Sequence, residues 1–233
     1  MPETAMPAST PPGPERPGTP PDFAAVETWV FDLDNTLYAP GLRLVEQINA
    51  RITAYIIREL GVGRAEADRL RAQYWREHGI TLTGLIAHHG VPADHFLDDV
   101  HDIDLSALRP DPRLNAAIAR LPGRRVIHTN GARAHAERVL RATGLEDAFE
   151  AIYGIEDKAL VPKPHEGAYA AVRAADGFAP DRAAMIEDTV ANLEEPKRLG
   201  MATVWLCHTE GAKAPAHVDR RITRLATFLE GLA

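Results

Sequence analysis

Two aspartates separated by one residue, Asp32 and Asp34, close the apolar run Thr28-Trp29-Val30-Phe31 and lead into Asn35 and Thr36. An apolar, β-prone run that stops abruptly on acid reads as a buried strand whose carboxyl end opens into a site. Strand side chains alternate, which sets both carboxylates on one face. Carboxylates that close repel, so a proton or a metal must relieve the repulsion. A second acidic pair, Glu187-Asp188, follows the apolar run 183–186, and Thr129-Asn130-Gly131 follows the run 125–128. Clustered carboxylate oxygens suit a hard cation, with Mg2+ the first candidate. Such a cation would neutralise Asp32 and draw a phosphate dianion into an otherwise negative place. Thr129 offers a hydroxyl and Asn130 an amide donor for phosphoryl oxygens, and Gly131 lets backbone N–H groups come close at a helix start. Lys163, between Pro162 and Pro164, supplies a side-chain cation on a stiffened loop. Alone it reads as an exposed loop lysine; beside the other groups it reads as part of the site.

These groups need elements to bring them together. From residue 112 onward apolar strands alternate with amphipathic helices. The pattern predicts helices over 113–121, 134–143, 166–175, 192–199 and 222–232, and strands over 125–128, 149–153, 183–186 and 202–206. Such alternation implies an α/β fold with a doubly wound parallel sheet, whose ligands bind beyond the carboxyl ends of the strands. Asp32/Asp34, Thr129/Asn130 and Glu187/Asp188 would then meet in one crevice. His128 precedes Thr129, points the other way and reads as core. Between the first strand and residue 110 the period is helical. Leu44, Val45, Ile48, Ile52, Tyr55, Ile56 and Leu60 recur every three or four residues up to Gly61, and further helices are expected over 65–78, 81–89 and 93–101. The expected organisation is a helical segment, 40–109, inserted into a core made of 23–39 and 110–233. Residues 1–22 hold eight of the 18 prolines and little that packs. They read as a disordered tail and not as a signal peptide, since a basic start and an apolar stretch are both lacking.

Composition narrows the function classes. With 45% apolar residues in 233, the chain can bury a core, and a formal charge of −7 gives no broad basic surface for nucleic acid. No apolar run approaches the length of a membrane-spanning helix, about 18 residues. The single cysteine, Cys207, lies in an apolar stretch and reads as a small buried hydrophobe rather than a nucleophile. With no export signal in view, a reducing, cytoplasmic location is expected.

Together these motifs resemble the haloacid dehalogenase (HAD) superfamily of phosphatases. Its D-x-D-x-T motif is matched by Asp32, Asp34 and Thr36, and its strand-ending Thr or Ser by Thr129. Its loop lysine is matched by Lys163, and its acidic pair by Glu187 and Asp188, with Asn192 following. The likeness covers 26–233, and the helical insertion sits where the superfamily carries its cap. The resemblance implies Mg2+-dependent hydrolysis of a phosphomonoester. Asp32 would attack phosphorus to form an aspartyl-phosphate, and Asp34 would protonate the leaving group and then activate water. The resemblance also implies Mg2+ held by the Asp32 carboxylate, the Asp34 backbone carbonyl and Asp188. Glu187 and Asn192 would support that shell, Asn192 in a place often held by Asp. Thr129, Asn130 and Lys163 would stabilise phosphoryl charge. Asp34 speaks against dehalogenation, because a halide leaves without a proton.

Within the superfamily, the strings 31–38, 81–85, 100–104 and 129–138 resemble the pyrimidine 5′-nucleotidase branch, as do Asn192-Leu193, Lys197, 199–201 and 203–205. Pro196 departs from the Ala expected there, a change the first turn of a helix tolerates. The implied reaction is hydrolysis of UMP, CMP or dTMP. Substrate choice would lie in the cap, whose polar candidates are Thr81, Thr83, His88, His89, His101, Asp102 and Asp104; Asn35 and Tyr38 lie beside the first motif. His88, His89, His95 and His101 with Asp98, Asp99 and Asp102 could make a second metal site, although their irregular spacing favours a solvated face. Two alternatives stand beside the nucleotidase reading. One is a phosphatase of another small metabolite, such as phosphoglycolate or a sugar phosphate. The other is a non-catalytic binding protein keeping the fold, against which the intact Asp32, Asp34, Lys163 and Asp188 argue.

Overall fold

The computed structural model describes residues 21–232, so the tail expected over 1–22 lies, except for its last two residues, outside the described residues. Six parallel strands form one sheet: β1 (Thr28–Phe31), β2 (Arg124–His128), β3 (Ala151–Tyr153), β4 (Ala183–Glu187), β5 (Ala202–Leu206) and β6 (Arg220–Ile222). Their order is β3-β2-β1-β4-β5-β6. The order reverses at β1/β4, the switch point where such sheets open a crevice. Phe31 is level with Ile127 of β2 and Ile186 of β4, so the residues that follow all three strands emerge at one edge.

The helices, in chain order, are α1 (Leu44–Leu60), α2 (Arg64–His78), α3 (Thr81–His89), α4 (Ala93–His101), α5 (Pro112–Ala119), α6 (Arg133–Thr143), α7 (Glu166–Asp176), α8 (Glu194–Arg198) and α9 (Leu225–Glu230). Both faces of the sheet are covered, which is why the central strands β1 and β4 are buried along their whole length. Trp29 and Phe31 pack on one side with Ile118, Val139, Leu140 and Leu229 from α5, α6 and α9. Val30 packs on the other with Val126, Met185, Leu193 and Met201. Cys207 is buried just past β5.

Helices α1–α4 form the insertion between β1 and α5. They enclose their own apolar cluster, including Tyr55, Ile56, Leu70, Tyr74, Leu82, Leu85, Phe96 and Val100, which reaches Ala132 and Ile155 of the sheet side. The approach of α2 and α3 needs a glycine: a Cβ at Gly84 would lie 2.3 Å from the Tyr74 ring.

Two expected elements differ. Residues 220–222, expected as loop and helix start, pair as edge strand β6 with Val204–Leu206, and the closing helix begins only at Leu225. A three-residue edge strand with two arginines carries no alternating apolar pattern; the neighbouring strand makes it a strand. The helix expected over 192–199 divides into a 3-10 turn, Val190–Leu193, and α8, with Pro196 in its first turn.

Candidate active site

Asp32 stands at the centre of the strand-end edge, its backbone N–H donating to Ile186 O at 2.9 Å. Lys163 Nζ donates to Asp32 Oδ1 (2.7 Å), Glu187 Oε2 (2.6 Å) and His128 O (2.8 Å), so all three ammonium protons are engaged. Thr36 Oγ1 donates to Asp32 Oδ2 at 2.9 Å. Burial pushes the Asp32 carboxyl up to about 6, opposed by Lys163 and reinforced by Asp188 and Asp34. Burial and the charge of Asp32 drive Glu187 well above its ordinary value. Burial pulls the Lys163 ammonium down, but the two carboxylates outweigh it and hold the lysine protonated.

Asp32, Asp34, Glu187 and Asp188 line a crevice of about 290 Å³, and among the described residues Lys163 is the only lysine or arginine lining it. Negative charge therefore exceeds positive. Oxygens of Asp32, Glu187 and Asp188 lie within 4.8 Å of one another. A carboxylate trio with one lysine between its members fits a hard divalent cation. Thr189 N–H donates to Glu187 Oε1 at 3.1 Å and Thr189 Oγ1 to Asp188 Oδ1 at 3.2 Å, while Trp205 Nε1 holds the Asp188 backbone carbonyl at 2.8 Å. Asn192 is buried and lines the same crevice.

Thr129 Oγ1 accepts from Gly131 N–H at 2.9 Å, which leaves the hydroxyl proton for another acceptor. Asn130 lines the same crevice, and its side chain makes two contacts of its own. Its Oδ1 accepts from Lys163 N–H (2.8 Å) and its Nδ2 donates to Lys163 O (3.0 Å), so the amide fastens the lysine loop. Lys158 is a further buried cation that the sequence reading passed over. Its Nζ donates to Thr129 O at 2.5 Å, and burial, with Lys163 adding, pulls it down to about 7.

Asp34 faces a separate set of partners. Tyr38 O–H donates to Asp34 Oδ1 at 2.6 Å, and His135 Nε2 lies 3.0 Å from the same oxygen. Burial raises the Asp34 carboxyl, but hydrogen bonds from His135 and Tyr38 and the histidine charge win, leaving it below its ordinary value. His135 was not singled out from the sequence, although a histidine on the buried stripe of α6 beside Ala136, Val139 and Leu140 is a legible oddity. The His101 ring stacks on it at 4.8 Å.

Across the crevice the insertion presents Val45, Ile48, Trp75 and Ile80. Ile48, Trp75, Ile80, His101 and Asn130 continue into an adjoining pocket of about 130 Å³, completed mainly by apolar side chains with Asn49 and Thr81. Trp75 is 63% exposed, the only large exposed hydrophobic among the described residues. Of the polar candidates on the insertion, Thr81 and His101 reach this pocket. Thr83 lines neither space, and its buried Oγ1 has no partner among the described residues; His89 Nε2 meets Tyr74 O–H, His95 Nδ1 meets Tyr55 O–H, His88 stacks on Tyr74, and Asp102 faces Arg51. Asp104 accepts from Ser106. His128 is buried against Tyr169, on the far side from Thr129.

A family model, the haloacid dehalogenase-like hydrolase, matches residues 26–200. The chain belongs to this family. Among curated relatives of this HAD hydrolase, phosphate metabolism protein 8 of Saccharomyces cerevisiae is 25% identical over 197 residues, covering 77% of the chain; the chain spans only 61% of that relative's length. Among solved structures, the HAD phosphatase of Thermococcus onnurineus shares the fold with a TM-score of 0.62 at 17% identity, over 89% of this chain and 98% of that one. The HAD hydrolase YfnB of Bacillus subtilis, bound to magnesium, does so with a TM-score of 0.56 at 17% identity, over 89% and 98%. Among the described residues no helix is long and apolar enough to cross a membrane.

Proposed function

We propose that this HAD hydrolase is a Mg2+-dependent phosphomonoesterase that works through an aspartyl-phosphate on Asp32 and acts on pyrimidine nucleoside 5′-monophosphates. The observation that carries the reaction class is the division between the two aspartates. Asp32 lies among Lys163, Thr36 and the acidic trio, while Asp34 lines the same crevice with one oxygen fastened by Tyr38 and His135. Asp32 attacks phosphorus as the bond to the leaving oxygen breaks, and Asp34 gives that oxygen its proton. Asp34 then takes a proton from the water that attacks the aspartyl-phosphate; Asp32 is regenerated and inorganic phosphate departs. Lys163 orients Asp32 and adds positive charge, Thr129 donates its hydroxyl to a phosphoryl oxygen, and Asn130 holds the Lys163 loop in place. Mg2+ would be held by Asp32, Asp188 and the Asp34 backbone carbonyl, with Glu187 and Asn192 beside it. When bound it supplies positive charge against the phosphoryl oxygens. Residues 40–109 act as a cap over a core of 23–39 and 110–233.

The substrate class rests on the wall opposite the acids. The insertion residues that line the crevice and its adjoining pocket include no lysine, arginine or carboxylate. A leaving group with its own carboxylate, such as glycolate, would lose water there with no cation to receive it. A nucleoside is uncharged, offers a flat ring to Trp75, and can hydrogen-bond to Asn49, Thr81 and His101. Burial takes His101 down to about 4, so its ring enters as a neutral acceptor. The yeast relative's name, which speaks of phosphate metabolism, agrees with a phosphatase, and the lone buried Cys207 fits a reducing, cytoplasmic setting.

The test is phosphate release from UMP, CMP and dTMP with Mg2+ or EDTA, joined to borohydride reduction of quenched enzyme. Metal-dependent release, its loss in Asp32→Asn, and conversion of Asp32 to homoserine in the trapped wild type are expected. Undiminished release by Asp32→Asn, or no release from any ester with Mg2+ present, would overturn the reading.

A further inference from the structure

Asp34 carries its hydrogen bonds on one oxygen. Tyr38 O–H and His135 Nε2 both meet Oδ1, at 2.6 and 3.0 Å, while no donor among the described residues meets Oδ2. A carboxylate only accepts, so His135 Nε2 is the donor. His135 Nδ1 is buried and has no partner among the described residues, leaving the bond to Asp34 as the ring's one polar contact. The side chain is fully buried and is held between α6 and the insertion by the His101 ring. His101 is itself fixed: its Nδ1 donates to Leu97 O at 2.8 Å, and Arg138 donates to the His101 backbone carbonyl at 2.9 Å. A histidine in this place is not needed for packing alone, since a leucine would fill it without an orphaned ring nitrogen.

We propose that His135, assisted by Tyr38, is the positioning residue for Asp34. The two donors fasten Oδ1 and so turn Oδ2 toward the leaving-group oxygen. This rests on the acid/base reading of Asp34 given above. In the first half-reaction the Asp32 oxygen–phosphorus bond forms, the phosphorus–leaving-oxygen bond breaks, and the Oδ2 proton moves to the departing oxygen. A group that acts through this proton matters in proportion to the leaving group's need for it. An alkoxide such as a nucleoside 5′-oxygen needs the proton; 4-nitrophenolate does not.

The experiment compares kcat/KM for UMP and 4-nitrophenyl phosphate, a quantity that ends at the first irreversible step. His135→Ala and Tyr38→Phe are expected to lower the UMP value about ten- to a hundredfold, the effect of removing one hydrogen bond to a charged group, and the nitrophenyl value by no more than about threefold. His135→Gln, which keeps an N–H donor, recovers most of the UMP value. Tyr38→Phe removes one oxygen and leaves the ring packing, which guards against a folding defect in the alanine variant. Equal losses on both esters in both variants would make the contact structural and overturn the proposal. Asp34→Asn supplies the control. A selective loss there without one in His135→Ala overturns the positioning role alone, whereas equal losses in Asp34→Asn overturn the acid/base reading and the proposal with it.

Discussion

The crevice has two unlike sides. Along the ends of β1, β2 and β4, Asp32, Lys163 and Glu187 are each held by two or more hydrogen bonds, and Thr129 and Asn130 are tied into the same network. Across from them Val45, Ile48, Trp75 and Ile80 present surfaces with no directional bonding. The first side is over-determined, because one ammonium, two carboxylates and an amide each fix another's position. The second offers shape without charge. Such a division lets a family keep its reaction while the selecting surface changes.

The comparison can be broken from either side. Asp32→Asn removes the nucleophile, and phosphate release should fall on the order of 10⁴-fold or more, measured by single-turnover kinetics. Ile80→Arg places a cation on the apolar wall. It should lower kcat/KM for UMP about tenfold or more and raise that for phosphoglycolate, because the new charge finds a carboxylate in one substrate and only desolvation in the other. Trp75→Ala should cost nucleotides roughly tenfold in kcat/KM, the value of one lost base–aromatic stack, while leaving glycerol phosphate nearly unchanged.

Proton linkage sharpens the acidic side. In metal-free protein the folded Asp32 keeps its proton up to about pH 6, whereas its ordinary value is 3.8. The folded state binds more protons across that window, so stability falls as pH rises from about 4 to about 6. A divalent cation competes with the same proton. Calorimetry should find Mg2+ affinity weakening roughly tenfold per pH unit below that value. The opposite slope belongs to Lys158. Its folded value of about 7 lies below its ordinary 10.5, so the folded state sheds the proton first and stability rises with pH between the two. Lys158→Met should flatten that rise, seen as the loss of a Tm increase on the order of 10 °C across the alkaline range.

The sheet and its acidic edge were legible because short-range signals carry them. Apolar runs that stop on Asp32, Thr129 and Glu187 announce strand ends in a handful of residues, and the parallel fold brings those ends together. What escaped depends on contacts between distant segments. His135 is 101 positions from Asp34 and reads locally as one more residue of an amphipathic helix. Asn130 is 33 positions from Lys163, and nothing local announces that its amide pairs with the backbone of that loop. β6 has no apolar alternation, and only its pairing with β5 makes it a strand. Candidates on the insertion were sought among polar residues, whereas the side chains it presents to the crevice include Val45, Ile48, Trp75 and Ile80. Trp75 follows Tyr74 off the buried stripe of α2, and an aromatic side chain in that place is the trace the wall leaves in the sequence.

The division between acidic floor and uncharged wall is tested most directly by the ratio of kcat/KM for UMP to that for phosphoglycolate, measured on the intact chain with saturating Mg2+. Uridine would bring no charge to the wall and glycolate would bring a carboxylate. A ratio of about a hundred or more in favour of UMP is the predicted result. A ratio near one, or a preference for phosphoglycolate, would contradict it.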